Sequence, residues 1–112
     1  IRTSATVSHT TDPGAGVAAA DFVYTDTWID MQYFNNPEYK EANEATLDRM
    51  MPYQVNEALV GDRPVRIMHD MPIHEGFEIS AGLVNDPRSV IFDQAENRLH
   101  AQKGLLVWLL AT

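Results

Sequence analysis

The stretch IMHDMPIHEG, residues 67–76, places a histidine, an aspartate and a proline directly after an apolar segment. An imidazole such as His69 can donate a hydrogen bond or transfer a proton, and a carboxylate such as Asp70 can bind an amine or accept its proton. Polar groups at the end of a buried strand require partners. We therefore expect either the fold or a ligand to supply partners for these two side chains.

Carboxylates also follow the other predicted strands. Asp26 and Asp30 follow the segment FVYT, and Asp93 ends the segment SVIFD. The carboxyl ends of parallel strands meet at one edge of a sheet, so these acids and Asp70 are expected to converge and to attract a cationic ligand such as an amine. Aspartate at a strand exit can instead cap the next turn or helix. Capping is the favoured interpretation for Asp12 and Asp93, whereas both interpretations stay open for Asp26 and Asp30.

Other kinds of site have weaker support in the sequence. His69, Asp70 and His74 lie close together but match no known spacing of metal ligands, so we predict no metal site. Gly14 and Gly16 follow a predicted strand and open a predicted helix, which is half of a dinucleotide-binding pattern. We rank a dinucleotide site far behind an amine site.

The overall composition limits the possible partners. A net charge of −8 with only eight Lys and Arg residues argues against nucleic acid and against anionic membranes. The absence of cysteine excludes disulfides and thiol chemistry. No apolar stretch reaches the roughly 18 residues of a membrane span, and residues 1–10 do not resemble a signal peptide, so we expect a cytoplasmic protein. The chain lacks an initiator Met, and we expect it to be a fragment of a longer protein.

Alternating strand and helix patterns predict one α/β domain over residues 1–112, with a mostly parallel sheet and helices on both faces. A loop is expected over 28–36. Arg98, on the last helix, is the basic residue placed to reach the edge where the acids converge, although the residues alone favour a surface ion pair for it. The predicted strands are 5–10, 22–26, 65–69 and 89–93, and the predicted helices are 13–21, 36–51, 52–61, 80–85 and 93 to the end, the last opened by an Asp93–Glu96 capping box.

Four segments together resemble the aspartate/ornithine carbamoyltransferase family: DFVYTDTWIDM, MPYQVNEAL, IMHDMPIHEGFEI and SVIFDQAENRLHAQKGLLVWLL. The resemblance runs from Ser4 to the end of the chain and points to the C-terminal, ornithine-binding part, a Rossmann-like half. It implies a carbamoyltransferase that transfers the carbamoyl group of carbamoyl phosphate to the amine of ornithine, without a cofactor and as a homotrimer when full-length. The family's N-terminal carbamoyl-phosphate domain is not among these residues, so we expect the chain alone to be inactive and the segment LLVWLL to be exposed.

The resemblance also implies roles for single residues. The family segment His-Cys-Leu-Pro corresponds to His69-Asp70-Met71-Pro72, so that His69 would hydrogen-bond the carbamoyl group and the Met71 carbonyl would face its amide end. The Met71–Pro72 peptide is expected to be cis, as in relatives. Arg98 corresponds to the arginine that contacts carbamoyl phosphate, which makes His69, Asp70 and Arg98 the candidate catalytic residues.

The acceptor side of the site departs from the family pattern. Asp26 corresponds to the aspartate that binds the amino groups of the acceptor, and Asp30-Met31 stands where the family has the Ser-Met of Ser-Met-Gly. Asp70, Met71 and Pro72 complete the candidate substrate-binding set. The departures are Asp70 for cysteine, Asp30 for serine, Gln32 for glycine and Glu75 for a common arginine.

These departures leave three questions open. Asp70 could position a cationic amine, or it could act as the general base if burial raises its pKa. The acceptor could be ornithine, an acylated ornithine, another amino acid or a diamine such as putrescine. An alternative to an enzyme is a non-catalytic module that binds an amine or amino acid in the same pocket.

Overall fold

The computed structural model of the protein describes residues 5–111, which form an α/β fold around a pair of parallel strands. Two short 3-10 helices, Pro37–Tyr39 and Met51–Tyr53, flank the third α-helix. The strands are β1 (Phe22–Thr25) and β2 (Arg66–His69), and the helices are α1 (Pro13–Val17), α2 (Met31–Phe34), α3 (Lys40–Met50), α4 (Glu57–Val60), α5 (Ala81–Val84) and α6 (Ile91–Leu110).

The register of the two strands determines which residues meet at their carboxyl ends. Phe22 pairs with Arg66, and the pairing continues to Thr25 opposite His69. The residues that follow the last pair, at positions 26 and 70, therefore leave the sheet side by side. Ile67 also donates to the Arg88 carbonyl at 3.1 Å, so a third segment runs along the other side of β2.

Two of the four predicted strands are wrong, although the α/β class with a parallel sheet is confirmed. Residues 5–10 form no strand, and Val7 is 90% exposed. Within 89–93, a single parallel bridge joins Ser89 to Ile67, and then helix α6 begins at Ile91. β-branched composition favours a strand only where a neighbouring strand lies beside it, and neither segment has a continuous partner among the residues that the structure describes.

The helix positions agree with the sequence better than the helix ends do. The Asp12 side chain caps α1 as expected, accepting from the Gly14 amide at 2.8 Å, but α1 ends at Val17 rather than at position 21. The predicted loop 28–36 contains the short helix α2. The predicted Asp93 cap is wrong, because α6 begins two residues earlier, with Val90 at the N-cap, and Asp93 lies inside its first turn.

The core lies between the strands and the helices that pack on them, and the end of α6 projects away from it. Residues 105–110 are between 53% and 77% exposed, as expected for LLVWLL. In the part of the chain that the structure describes, no helix combines the length and the apolar character needed to cross a membrane. The buried apolar cluster consists of Val17, Val23, Val55, Val60, Val65, Ile67, Ile79, Leu83, Val84 and Ile91.

Candidate functional site

The carboxyl ends of β1 and β2 form one wall of the site. Asp26 and Asp70 are the first residues after the two strands. The Thr27 hydroxyl donates to the Pro72 carbonyl at 2.9 Å, which links the loop after β1 to the turn after β2. The Thr27 amide donates to the Asp26 carboxylate at 2.6 Å and so orients that carboxylate within its own loop. The parallel register and these two contacts together bring the two carboxylates to the same edge.

A pocket of about 260 Å³ lies at this edge, and we call it the acidic pocket. Its lining residues, all from the described range 5–111, include three carboxylates and no basic side chain, so an ammonium group would be attracted to it. All six predicted substrate-binding residues line it. The acidic pocket is lined by Asp26, Thr27, Asp30, Met31, Asp70, Met71 and Pro72.

The carboxyl group of Asp70 is electrostatically perturbed. Partial burial from water raises the pKa of Asp70, and both a hydrogen bond with the Asp26 carboxyl and the negative charge of Asp26 raise it further. The neighbouring His69 has the opposite, weaker effect on this pKa.

His69 is fully buried, and both nitrogens of its ring already contact the protein. Its Nδ1 accepts from the Met71 amide at 2.9 Å, which assigns the ring proton to Nε2, and Nε2 lies 3.1 Å from the Glu78 carboxylate. The expected hydrogen bond from His69 to a carbamoyl group would have to replace one of these two contacts. His69 is placed to hold the turn that follows it.

That turn has an unusual backbone. The Met71–Pro72 peptide is cis, as expected, and Met71 has a φ of +60°, which is rare for a residue with a side chain. The hydrogen bond from the Met71 amide to His69 helps to hold this conformation. A positive φ at a residue with a side chain persists only where the surroundings enforce it, and such residues cluster at functional sites.

The carboxylate of Glu78 supports the turn from inside the protein, and the sequence analysis did not identify this residue. Glu78 is fully buried, and its Oε1 accepts from the His74 amide at 2.6 Å as well as facing His69. An acid flanked by Phe77 and Ile79 was the available sequence signal, since a carboxylate in an apolar segment must find partners.

A second pocket of about 590 Å³ adjoins the acidic pocket, and we call it the arginine pocket. Arg98 on α6 lines this pocket, and its side chain is exposed. Among residues 5–111 it forms no ion pair, so the surface ion pair that the residues alone favoured is wrong. Gln94 accepts from the His69 amide at 3.2 Å and so joins α6 to the end of β2. The arginine pocket is lined by Tyr24, His69, Asp70, Gln94, Ala95, Asn97, Arg98 and Ala101.

Asp70 lines both pockets, and this shared wall brings all the predicted catalytic and substrate-binding residues into one continuous site. Sequence reasoning missed Tyr24, Thr27, Gln94 and Asn97. Tyr24 and Thr27 lie next to a predicted strand end, and Gln94 is four residues before Arg98 on the same helix face. Their positions relative to the predicted strand end and to Arg98 could have identified Tyr24, Thr27 and Gln94.

Some candidates lie elsewhere. Asp93 lines a separate hollow with Asp86, so it does not join the other acids. The Asp12 side chain accepts from the amides of Gly14 and Ala15, which occupies donors that a dinucleotide phosphate would need. Another, more apolar hollow of about 340 Å³ lies beside α3, and no predicted site residue lines it.

The ring of His74 stacks on Phe34 instead of facing His69 and Asp70, with ring centres 3.7 Å apart. Within the described residues 5–111, no group of three or more histidine and carboxylate side chains is arranged to hold a metal ion.

Comparison with known proteins identifies the same family as the sequence motifs. The family model described as aspartate/ornithine carbamoyltransferase, Asp/Orn binding domain, matches residues 1–109. The chain is 45% identical over 114 residues to ornithine carbamoyltransferase of Rhodococcus jostii, covering 97% of this chain and 33% of that protein. It is 48% identical over 99 residues to the enzyme of the same name from Haloquadratum walsbyi, covering 88% and 31%.

Solved structures agree with these sequence matches. Ornithine carbamoyltransferase from Pyrococcus furiosus superimposes with a TM-score of 0.74 at 39% identity, over 86% of this chain and 29% of that one. A variant of N-acetyl-L-ornithine transcarbamylase, complexed with carbamyl phosphate and N-succinyl-L-norvaline, gives a TM-score of 0.70 at 25% identity over 89% and 30%. The chain spans about a third of the length of these relatives. It belongs to the aspartate/ornithine carbamoyltransferase family and corresponds to the amino-acid-binding domain of that family.

Proposed function

We propose that the protein containing this chain is a carbamoyltransferase that transfers the carbamoyl group of carbamoyl phosphate to the amine of ornithine or a related amine, releasing phosphate. Residues 1–112 would be its C-terminal acceptor-binding domain, completed by an N-terminal carbamoyl-phosphate domain. The observation that carries this proposal is that the acidic pocket and the arginine pocket share Asp70 as a common wall. An amine in one pocket can then meet an activated carbonyl in the other.

The two pockets differ in charge in the way that this reaction requires. In the acidic pocket, Asp26 and Asp30 would bind the cationic end of the acceptor, with Met31 and Pro72 shaping the space beside it. In the arginine pocket, the exposed guanidinium of Arg98 would bind carbamoyl phosphate, because Arg binds phosphate oxygens through a fork of donors. The Met71 carbonyl would face the amide end of the carbamoyl group.

His69 would act as a positioning residue in this reaction. Its ring contacts the Met71 amide and Glu78 rather than open space, so it would hold the turn that carries the Met71 carbonyl. We further propose that the complete protein is a homotrimer, that it works in the cytoplasm in the biosynthesis of arginine, and that no cofactor takes part.

A product assay tests this function directly. The full-length protein would be incubated with carbamoyl phosphate and, separately, with ornithine, acylated ornithines, putrescine and lysine, and ureido product would be measured. We expect product from one of these amines and none from the 112-residue chain alone. Absence of product from every amine, with the protein folded, would favour a non-catalytic amine-binding module.

A matched pair of arginine variants tests the role of Arg98. Arg98→Gln should raise the KM for carbamoyl phosphate by at least tenfold, whereas Arg49→Gln, at an exposed position on α3 outside both pockets, should not change it. Equal KM values for the two variants would remove Arg98 from the proposed site.

A further inference from the structure

Asp70 occupies a position that the proposed reaction does not yet explain. Among the described residues that line the two pockets, it is the one common to both. In the proposed reaction, an amine nitrogen in the acidic pocket bonds to the carbamoyl carbon in the arginine pocket. The two reacting atoms therefore meet close to the Asp70 carboxylate. A neutral side chain here would suffice to shape the wall, and a carboxylate offers additional chemistry.

The acceptor amine needs such chemistry because an ammonium ion has no lone pair with which to attack. An alkylammonium beside the three carboxylates of the acidic pocket is held in its protonated form. A group beside the nitrogen must therefore accept a proton before the carbon–nitrogen bond can form.

Resting on the proposed carbamoyl transfer, we propose that Asp70 is the general base that takes a proton from the attacking amine at the junction of the two pockets. The ammonium gives one proton to the Asp70 carboxylate, and the freed lone pair attacks the carbamoyl carbon. The carbon–oxygen bond to phosphate breaks, the second nitrogen proton goes to the departing phosphate, and Asp70 later releases its proton to water.

The surroundings of Asp70 suit it to this role. Burial and Asp26 raise the pKa of Asp70, and a base is most effective when its pKa lies closer to the working pH. The titratable and charged groups around it are Asp26 after β1, His69 on β2, Arg98 on α6 and Asp30 across the acidic pocket. The Nδ1 atom of His69 lies 3.4 Å from the Asp70 carboxylate. The Asp70 side chain is 42% exposed, so solvent can take up the proton after each turnover.

The test compares two carboxylates of the same pocket in the full-length protein, using the amine that gives product. Asp70→Asn should lower kcat by about 10²- to 10⁴-fold with a KM for the amine within about threefold of wild type. It should also remove the acidic limb of the kcat–pH profile, and Asp70→Glu should restore part of the rate together with a shifted limb. Asp30→Asn removes the same charge away from the junction, so it should mainly raise the KM for the amine and keep the limb.

Each outcome decides between the alternatives. If folded Asp70→Asn keeps a kcat near wild type, or keeps the acidic limb, Asp70 is not the base. If Asp70→Asn and Asp30→Asn both raise only KM, the Asp70 charge positions the amine and the proposal is overturned. If wild type forms no ureido product with any amine, the proposed function itself fails and the role of Asp70 fails with it.

Discussion

Removing the Glu78 carboxylate should destabilise the turn that carries Met71 and Pro72. In Glu78→Ala, the His74 amide and the His69 Nε2–H each lose their acceptor inside a region without solvent access. A buried donor left without a partner costs about 1–3 kcal/mol. One Glu78 oxygen, Oε2, is itself buried without a partner among the described residues, and its removal returns part of that cost.

The net loss in the free energy of unfolding should be about 3 kcal/mol, close to the value expected when one partner of a buried pair is removed. Glu78→Gln should cost less, because its amide oxygen can still accept from both donors. Glu75→Ala is the matched control, since Glu75 is an exposed acid three residues away, and it should change stability by less than about 0.5 kcal/mol.

Denaturant unfolding and amide hydrogen exchange would measure these effects in the full-length protein. In Glu78→Ala, hydrogen exchange should accelerate at the His74 amide, because that amide loses its acceptor. Exchange should also accelerate at the Met71 amide, because its acceptor His69 loses the contact with Glu78 that fixes the ring. An equal free energy of unfolding for Glu78→Ala and Glu75→Ala, or wild-type protection at these two amides, would show that Glu78 does not support the turn.

Substitutions at three other positions test the charge, ion-pair and capping contacts. Asp70→Asn should raise stability at pH 7 by less than about 1 kcal/mol. The pKa of Asp70 is raised in the folded protein, so the charged carboxyl destabilises the fold above that pKa and the protonated carboxyl does not. Thermal unfolding of Asp70→Asn should therefore show no gain in stability at pH 3. An equal gain at pH 3 and pH 7 would contradict this. Arg88→Lys should lower the melting temperature by a few degrees at pH 7, since Arg88 contacts Asp86 through Nε at 2.9 Å and Nη2 at 3.0 Å. These hydrogen bonds lower the pKa of Asp86 to about 2, so the difference in melting temperature between Arg88→Lys and wild type should shrink as the pH falls towards 2. A difference that stays constant down to pH 2 would show that the Arg88–Asp86 pair contributes nothing. Asn56→Ala should cost about 1 kcal/mol in urea unfolding by removing the 2.9 Å cap on the Leu59 amide of α4, and Asn56→Ser should recover most of it.

Local patterns in the sequence predicted the elements that depend on local contacts. The Asn36 cap, the proline after it and the helical spacing beyond it indicated the helical segment that ends with α3. The apolar runs at 22–26 and 65–69 indicated β1 and β2, whose central residues Val23 and Ile67 are buried. Side chains and backbone within a few residues decide these elements, so no knowledge of the rest of the fold was needed.

The errors occurred where a distant partner decides the outcome. Residues 5–10 have strand-like composition, yet within the described part of the chain no strand pairs with them. Residues 89–93 make one bridge to β2 before Ile91 turns inwards as the first residue of α6. A strand is stabilised by its ladder rather than by its own residues, and the sequence of one segment does not reveal whether a partner lies beside it.

The sequence by itself determined the family, the strand ends at which the acids stand, and the residues Asp26, Asp30, Asp70 and Arg98 as candidates for binding and catalysis. The tertiary structure alone decided how these groups interact. It paired Asp70 with Asp26, engaged both ring nitrogens of His69, and made Asp70 the wall between two pockets. Hydrogen bonding and charge interactions act over a few ångströms, and residues 26, 70 and 98 come within that range only after the chain has folded.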